Sequence, residues 1–343
     1  MGHSVTIFCP HTEYRNELEI LGIVVHETRQ LHKVCRKTIK QLRRFLLAGH
    51  YDIIYAINSK AIPSAAFASV GYPAKLVCYR GTVSGLYRHD PTSYLTILNP
   101  RVDAVICVSQ AVSDYVEKKV WRKTVKIETI YKGHQLKWYN EKAANLSEFD
   151  IPNNAFVAIA VARFRPTKGL LVLLEALNLI AHLENLHVLI VGNGTDAKVY
   201  KTALANHQMR TRIHVTGHRN DATKLIAASD VLVQASTRGE GLPRSIVESL
   251  GHGVPVISTT TGGAKEILED EVSGYLVPTH DSPAIAQKLS YLYDNPKTTS
   301  AMSDNCRVIV RTTLSSEITA QKHIKFFHSL LDHQALPRDD QNN

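Results

Sequence analysis

Short apolar runs of four to six residues alternate with longer amphipathic stretches along most of the 343-residue chain. Short apolar runs bounded by turn residues are typical of buried strands, and apolar positions that recur every three or four residues are typical of helices. The alternation predicts βα units that build parallel sheets, and therefore an α/β fold. The predicted strands are Val5–Cys9, Ile23–His26, Asp52–Ala56, Lys75–Tyr79, Ala104–Val108, Val125–Ile130, Phe156–Val161, Leu186–Val191, Ile213–Thr216, Val231–Gln234, Val254–Ser258 and Gly274–Val277.

The amphipathic stretches between these runs are predicted to be helices. Ser109 is a residue that can cap a helix with its hydroxyl, and Gly251-His252-Gly253 is a typical helix stop. The predicted helices are His32–Leu47, Ala61–Val70, Ser109–Lys118, Leu170–His182, Ala197–His207, Asp221–Ala228, a helix from near Pro243 to Gly251, Pro283–Tyr293, Thr298–Arg311 and Ser316–Leu331.

A polar stretch that ends in Pro152-Asn153-Asn154 interrupts the alternation. Pro and Asn are turn residues, so this stretch is predicted to be an interdomain linker. The chain length also favours two domains. We expect an N-terminal domain at 1–145, a linker at 146–154, a second domain at 155–315, a final helix at 316–333 and a loose tail at 334–343.

The stretch from Ser236 to Ile267 contains the most specific pattern in the chain. Glu240 lies in a loop before a short helix that starts near Pro243, and Glu248 lies about two turns into that helix. Free N–H groups and the positive end of the helix dipole make a helix N-terminus a good place for an anion. A carboxylate beside that place can hold the hydroxyls of the molecule that carries the anion. Phosphate together with a polyol indicates a nucleotide sugar.

A family resemblance rests on the whole string and not on the two glutamates alone. Two Glu residues eight positions apart are a weak signal, because Glu is common in helices. Here they lie in Gly239-Glu-Gly-Leu-Pro-x4-Glu248, followed by Gly251-x-Gly-x-Pro-Val-Ile257 and Gly262-Gly-x-x-Glu-Ile267. This combination resembles the donor motif of retaining GT-B glycosyltransferases of the family 4, or group 1, type. The resemblance implies two Rossmann-like, doubly wound domains that face a cleft, with a C-terminal helix crossing back to the first domain.

The same resemblance implies roles for residues of the motif. Glu248 corresponds to the residue that holds the ribose hydroxyls, and Glu240 to the one beside the donor sugar and its phosphates. Glu240 is expected to orient the donor and act electrostatically, because no second carboxylate is assured near it and the family implies front-face displacement. The other donor-binding positions expected in the motif are Gly241, Leu242, Arg244 and Ser245, with the backbone N–H groups of the last two meeting the phosphate.

Two cations follow the first strand of the second domain. Arg163 and Lys168 flank a loop at the carboxyl end of that strand, where loops line the ligand crevice of such sheets. Taken alone, they would be read as a solvated basic turn. With the Glu motif in the same domain, we expect them to neutralise the leaving diphosphate in the transition state. In the resembled family the matching residues do this without a metal ion, so neither a metal nor another cofactor is expected.

Five further residues are candidates for the cleft. Gly192 and Gly194 lack the third glycine and the acidic partner of a dinucleotide fingerprint, so we expect them to let the backbone approach the donor. His218 follows a strand on the same side and is a candidate for facing the base, with a plain turn as the alternative. Arg80 stands where many relatives carry His-Gly, which puts the usual His contact to the donor sugar in doubt. The role of His89, as a base or as a solvated loop residue, stays open.

The net charge of +9 belongs almost entirely to the first half of the chain, since residues 1–150 carry 21 Lys and Arg against 13 Asp and Glu. The helix His32–Leu47 and the run Glu117–Lys126 supply most of this basic surface. Such asymmetry predicts a polyanionic partner. We expect an anionic membrane surface that presents a lipid-linked acceptor, with a solvated helix face as the equal alternative. Nucleic acid is disfavoured, because the chain shows no nucleic-acid module signature.

No apolar run reaches the roughly 18 residues of a membrane span, and no basic region precedes the apolar run at Ser4–Pro10 as it would in a signal peptide. We therefore expect a cytoplasmic protein, bound peripherally to the inner face of the membrane. The five cysteines form no CxxC pair, which indicates reduced structural thiols and no zinc site.

The start of the chain departs from the resembled family. Gly2-His3-Ser4-Val5 matches a segment that usually follows a first strand, a Gly-rich loop and a helix. We expect this first βα unit to be absent. The alternative is a compact variant in which Val5–Cys9 is itself the first strand.

Together these features predict a retaining, metal-independent hexosyltransferase. It would move a sugar from a nucleotide-sugar donor to a hydroxyl of a glycan or lipid-linked acceptor, in the assembly of cell-surface polysaccharide or lipopolysaccharide. Two alternatives stay open. One is a sugar-nucleotide 2-epimerase of the same fold, which needs further acid and base groups. The other is a non-catalytic protein that binds nucleotide sugars.

Overall fold

A computed structural model describes residues 2–28 and 33–332 of the chain. The predicted first residue of one helix, His32, and the predicted tail 334–343 lie outside these residues. Within the described ranges, the strands are β1 (Thr6–Cys9), β2 (Val24–Glu27), β3 (Ile53–Ala56), β4 (Lys75–Arg80), β5 (Ala104–Cys107), β6 (Lys126–Thr129), β7 (Phe156–Val161), β8 (Leu186–Val191), β9 (Ile213–Gly217), β10 (Val231–Gln234), β11 (Val256–Thr259) and β12 (Gly274–Val277). The α-helices are α1 (Arg15–Ile20), α2 (Arg36–Ala48), α3 (Ala61–Ala68), α4 (Gln110–Glu117), α5 (Leu170–Leu179), α6 (Lys198–Ala205), α7 (Ala222–Ala227), α8 (Arg244–His252), α9 (Ala264–Ile267), α10 (Ser282–Asp294), α11 (Pro296–Thr312) and α12 (Ser316–Leu331).

The second half of the chain builds a six-stranded parallel sheet in the order β12-β11-β10-β7-β8-β9, which we call the C-domain. Its inner strands are near-continuous runs of Val, Ile, Leu and Ala, because helices cover both of their faces and leave two hydrophobic clusters. The strand order reverses between β7 and β10. Loops that leave neighbouring strands in opposite directions at such a switch point open a crevice, and open α/β sheets bind their ligands there.

The first half of the chain, the N-domain, contains a four-stranded parallel sheet in the order β3-β4-β5-β6 and a separate parallel pair, β1 with β2. Across the described residues, β1 pairs with β2 alone and β3 with β4 alone. The side chains of β1 are half-buried, whereas those of β5 are fully buried. Whether a βα unit is absent before β1 stays a prediction.

The last helix crosses back to the N-domain, which confirms the expectation drawn from the resemblance. Phe326 of α12 packs into a hydrophobic cluster formed with β4 and β5. The hydroxyl of Tyr55 on β3 lies 3.3 Å from Nε2 of His323. Lys126 donates from Nζ to the carbonyl oxygen of Ser329 at 2.8 Å. These contacts tie the end of the chain to the face of the first sheet.

Two short helices escaped prediction because they are too short for a 3.6-residue period to show. The first is α1, in which Arg15 donates from Nε to Glu19 at 2.8 Å, four positions along. The other is α9, which has four residues. Burial raises the pKa of Cys107 to about 11 and that of Cys306 to about 12, so both thiols stay protonated near neutral pH. That the cysteines are reduced and structural stays a prediction.

Candidate functional site

Lys168 and Glu240 meet at the switch point between β7 and β10. Lys168 ends a 3₁₀ turn in the loop after β7, and Glu240 lies in the loop after β10. Nζ of Lys168 lies 2.6 Å from Oε1 of Glu240. The Glu240 side chain is 9% exposed and that of Lys168 27%, so the ion pair is largely removed from water. The structure therefore brings two of the three predicted catalytic residues into contact.

A chain of hydrogen bonds connects this ion pair to the start of α8. The Ser236 hydroxyl donates to Oε1 of Glu240 at 2.6 Å, and the Gln234 amide donates to Ser236 at 3.1 Å. The Ser245 hydroxyl in turn donates to Oε1 of Gln234 at 2.9 Å. Gln234 and Ser236 were not predicted as site residues. Their position, at and just after the carboxyl end of a strand beside the switch point, is the signal that could have found them.

Helix α8 starts at the crevice without a side-chain cap. Its N-cap residue is Pro243, whose side chain accepts no hydrogen bond from the first N–H groups of the helix. Helix N-termini leave such donors available to an anion. The helix ends where predicted, because Gly253 adopts φ of 76°, a left-handed conformation that glycine favours. The predicted phosphate-facing residues, Arg244 and Ser245, are thus the first two residues of the helix.

Glu248 lies in the second turn of α8 and is buried. Its Oε1 accepts a hydrogen bond from Nε of Arg244 at 2.6 Å, while the Arg244 side chain itself is 76% exposed. Burial raises the pKa of the Glu248 carboxyl, and the neighbouring Arg244 partly lowers it again. The arrangement is a buried carboxylate with one cationic partner at the surface of the crevice.

The two predicted glycines hold the loop after β8 against the loop after β7. A Cβ at Gly192 would lie 1.9 Å from the carbonyl oxygen of Ala162, and a Cβ at Gly194 would lie 2.2 Å from that of Phe164. Arg163 lies between Ala162 and Phe164 in the sequence, just after β7, and its side chain is exposed. The close approach that requires glycine is therefore between two backbone loops. An approach of these glycines to a donor stays a prediction.

The N-domain lies directly against the motif loop. A Cβ at Gly241 would lie 2.2 Å from the carbonyl oxygen of Gly81. Leu242 packs against hydrophobic clusters of both domains. These two predicted donor-binding residues consequently form part of the contact between the domains as well as part of the crevice.

Three other candidates stand apart from this hydrogen-bonded network. The Arg80 guanidinium turns back on its own loop, with Nε donating to the Thr82 carbonyl at 3.1 Å, and burial lowers its pKa. His218 is exposed after β9. His89 is exposed and stacks on Tyr87 with ring centroids 5.4 Å apart. Their predicted donor or base roles stay predictions.

Two family models match the chain and between them cover most of it. The model "Glycosyl transferases group 1" matches residues 141–308, which hold the candidate site. The model "Glycosyltransferase Family 4" matches residues 1–138.

Individual relatives are similar at low identity. The lipopolysaccharide core biosynthesis glycosyltransferase LpsE of Rhizobium meliloti is 24% identical over 190 residues, or 55% of this chain and 54% of that protein. An Escherichia coli enzyme, UDP-Gal:alpha-D-GlcNAc-diphosphoundecaprenol alpha-1,3-galactosyltransferase, is 27% identical over 296 residues, or 79% of this chain and 73% of that protein. This chain thus spans about half of the first relative and about three quarters of the second.

Solved structures show the same architecture. The crystal structure of Anabaena HepE in complex with UDP-glucose superposes with a TM-score of 0.74 at 23% identity, covering 94% of this chain and 91% of that one. At this identity the likeness shows the fold alone. The fold is GT-B, with two Rossmann-like domains facing each other, as the sequence predicted.

Proposed function

Because this chain belongs to glycosyltransferase family 4, the group 1 glycosyl transferases, we propose that it moves a sugar from a nucleotide-sugar donor to a hydroxyl of a glycan or lipid-linked acceptor. The observation that carries the proposal is the pair of Lys168 and Glu240 at the switch point, beside the uncapped start of α8. A sugar attached to a diphosphate needs a cation, N–H donors and a carboxylate for its hydroxyls. The UDP-Gal in the name of the Escherichia coli relative and the UDP-glucose bound to HepE support this donor class.

The transfer proceeds with retention, by attack on the face from which the diphosphate leaves. The bond between the sugar C1 and the phosphate oxygen breaks, and its electron pair stays on the diphosphate. The acceptor oxygen bonds to C1 on the same face, and its proton passes to the departing phosphate oxygen. A double displacement of the glycosidase type needs a carboxylate nucleophile close to C1. Glu240 is a poor nucleophile in this arrangement, because Lys168 and Ser236 both donate to its Oε1.

Each site residue then has a defined task. Arg163 and Lys168 hold the diphosphate and stabilise the charge that builds on it as its bond to C1 breaks. The first N–H groups of α8 bind the same phosphates, and Glu248 accepts from the ribose hydroxyls. Two cations and a helix N-terminus supply the positive charge that a divalent metal would otherwise provide, so the proposed reaction needs no metal. Turnover that survives excess EDTA is the expected outcome.

Donor hydrolysis followed by ¹H NMR tests both the activity and the stereochemistry. Water can replace the acceptor, so an α-linked UDP-hexose is incubated with the protein and spectra are recorded before the released sugar mutarotates. The proposal predicts that the α-anomer appears first and that Lys168→Ala abolishes its release. Appearance of the β-anomer first would rule out retention. A nucleotide-linked 2-epimer would identify an epimerase, and donor binding without any product would identify a binding protein.

The acceptor is proposed to belong to cell-surface polysaccharide or lipopolysaccharide assembly, and the protein to work at the cytoplasmic face of the membrane. The relatives' names, with a lipopolysaccharide core and a diphosphoundecaprenol-linked sugar, support this acceptor class.

None of the helices between residues 2 and 332 that the structure describes is long and apolar enough to cross a bilayer. Lys37, Lys40 and Arg44 are exposed on α2, beside Leu47, which is 67% exposed. A basic helix with an exposed apolar residue favours an anionic lipid surface.

Vesicle sedimentation tests this docking. The triple variant Lys37→Glu, Lys40→Glu, Arg44→Glu should lose binding to vesicles that contain phosphatidylglycerol. The matched control, Lys198→Glu, Lys201→Glu, Lys265→Glu, reverses three exposed cations of the C-domain and should bind like the unaltered protein. If both variants lose vesicle binding equally, net charge alone explains the binding. If neither variant loses it, α2 does not contact the membrane.

A further inference from the structure

Glu266 reaches from the C-domain into the N-domain. It is the third residue of α9, the short helix that follows Gly262-Gly263. Its Oε2 accepts from the backbone N–H of Gln110 at 2.7 Å, and its Oε1 from that of Ala111 at 2.9 Å. These are the first two residues of α4. A carboxylate of one domain therefore caps a helix of the other.

The cap is chemically well matched. The first N–H groups of a helix have no partner within it, and the positive end of the helix dipole attracts a negative charge. Ser109, on the same chain segment as α4, satisfies a different donor, the N–H of Val112. The Tyr131 hydroxyl adds a third hydrogen bond to Glu266, at 3.2 Å. Burial, and then the Glu266 charge, raise the pKa of Tyr131 to about 12, so this hydroxyl remains a donor.

The segment that carries Glu266 also packs against the backbone of the motif loop. A Cβ at Gly262 would lie 2.0 Å from the carbonyl oxygen of Glu240, and one at Gly263 would lie 1.9 Å from that of Gly241. Gly241 in turn contacts Gly81 of the N-domain. The segment from Gly262 to Glu266 thus contacts the backbone of the proposed donor loop at its start and forms hydrogen bonds with the N-domain at its end.

We propose that Glu266 is a positioning residue that latches the two domains around the cleft. In the latched arrangement the N-domain covers the donor loop at Gly241 and Leu242. A nucleotide must pass between the domains to reach that loop, so the latch has to release and re-form during turnover. Gln110 lies at the surface. Water can therefore replace the carboxylate when the domains separate, and the contact is reversible. This role in turnover rests on the proposed transferase function.

Amide hydrogen exchange tests the contact without any substrate. Glu266→Ala should speed exchange at Gln110 and Ala111 by about tenfold or more, because both N–H groups lose their acceptor. Exchange at Val112 should stay unchanged, since Ser109 caps it. The matched control is Glu269→Ala, which removes an exposed carboxylate three residues along. Unaltered exchange at Gln110 and Ala111 would show that Glu266 does not cap α4 in solution.

Small-angle scattering and kinetics test the latch itself. The Glu266→Ala variant should scatter as a more extended particle at an unchanged thermal midpoint. Its kcat should fall by about tenfold while its affinity for the nucleotide diphosphate stays within about threefold. Tyr131→Phe, which loses a hydroxyl and keeps the ring, should shift both readouts less and in the same direction. Faster exchange without extension would make Glu266 a helix cap only and would overturn the latch. Because exchange and scattering need no donor, they report on the latch even if the transferase assignment fails.

Discussion

Nζ of Lys168 and Oε1 of Glu240 lie 2.6 Å apart, so an ion pair joins the loops that leave β7 and β10 on the two sides of the switch point. The pair is largely shielded from water, and each partner would be left with an uncompensated charge if the other were removed. A diphosphate that enters the crevice would share the ammonium group with Glu240. We therefore propose that donor binding and charge stabilisation meet at Lys168.

Lys168→Ala should lower kcat by about a hundredfold or more and weaken donor binding by less than about tenfold. The reason is that charge builds on the leaving diphosphate mainly in the transition state, where a positioned donor is worth about 3 kcal/mol. Single-turnover kinetics and calorimetry separate the two effects. Arg165→Ala, an exposed cation of the same loop, is the matched control. Turnover retained in Lys168→Ala would remove this residue from the mechanism.

Gly241→Ala should prevent the two domains from closing productively around the cleft. The added Cβ would lie 2.2 Å from the carbonyl oxygen of Gly81, so the motif loop and the N-domain would have to move apart. We expect kcat/KM to fall by tenfold or more, with little change in the thermal midpoint of the C-domain. Gly81→Ala serves as control, because the nearest atoms to its Cβ belong to the Tyr79 side chain, at 3.3 Å and beyond. Equal activity of both variants would contradict the close domain contact.

Glu248→Ala should weaken binding of the nucleotide diphosphate by several-fold or more, because the ribose hydroxyls lose a buried acceptor. Affinity should also fall as the pH is lowered, starting above the range of an ordinary glutamate. Affinity falls on acidification because a protonated carboxyl loses acceptor capacity. The fall starts at a higher pH than for an ordinary glutamate because burial raises the pKa of this carboxyl. Calorimetry over a pH series measures both, with the exposed Glu184→Ala as control. Unchanged affinity in Glu248→Ala would count against the motif assignment.

Stability should fall in mild acid through His134, which is buried beside the turn between α11 and α12. Burial first, and then the charges of Lys132 and Arg244, lower its pKa to about 4. The unfolded chain takes up this proton near pH 6.5 and the folded protein only near pH 4. The His134 contribution is therefore complete above pH 6.5 and is lost between pH 6.5 and 4, by at most about 1.4 kcal/mol per pH unit.

Urea unfolding at a series of pH values measures this slope. His134→Gln should flatten it, whatever its effect on stability at neutral pH, while the exposed His182→Gln should leave it unchanged. An equally steep slope in His134→Gln would assign the acid sensitivity to other groups.

The C-domain could be predicted well from sequence because most of its strands are buried on both faces and read as unbroken apolar runs. Phe156–Val161, Leu186–Val191, Val231–Gln234 and Gly274–Val277 were placed without error for this reason. The N-domain was harder. Its helix α1 has six residues, and no residue of that helix is buried, so its sequence carries little periodic signal.

Local sequence patterns identified the candidate residues that lie close together in the chain. They did not identify the contacts between residues that are far apart in the chain. Glu240, Glu248 and the start of α8 lie within one motif. The pairing of Lys168 with Glu240 joins residues 72 positions apart, and the cap that Glu266 forms on Gln110 spans 156 positions. No local pattern specifies such contacts, because the first follows from how β7 and β10 pair within the C-domain and the second from how the two domains pack. Arg80 shows the converse: its place after a strand suggested the cleft, yet its guanidinium binds its own loop.

A thermal-shift panel of UDP-, GDP-, ADP- and CMP-sugars tests the central claim, that a nucleotide sugar binds at the switch point through Lys168, α8 and Glu248. At a hundredfold excess over Kd, a ligand that binds only the folded state stabilises it by about 2.7 kcal/mol, which corresponds to about 4 °C for a chain of this size. We predict a shift of that order from one donor class, and its loss in the double variant Lys168→Ala, Glu248→Ala. No shift from any of the four, or a shift that persists in the double variant, would contradict the account.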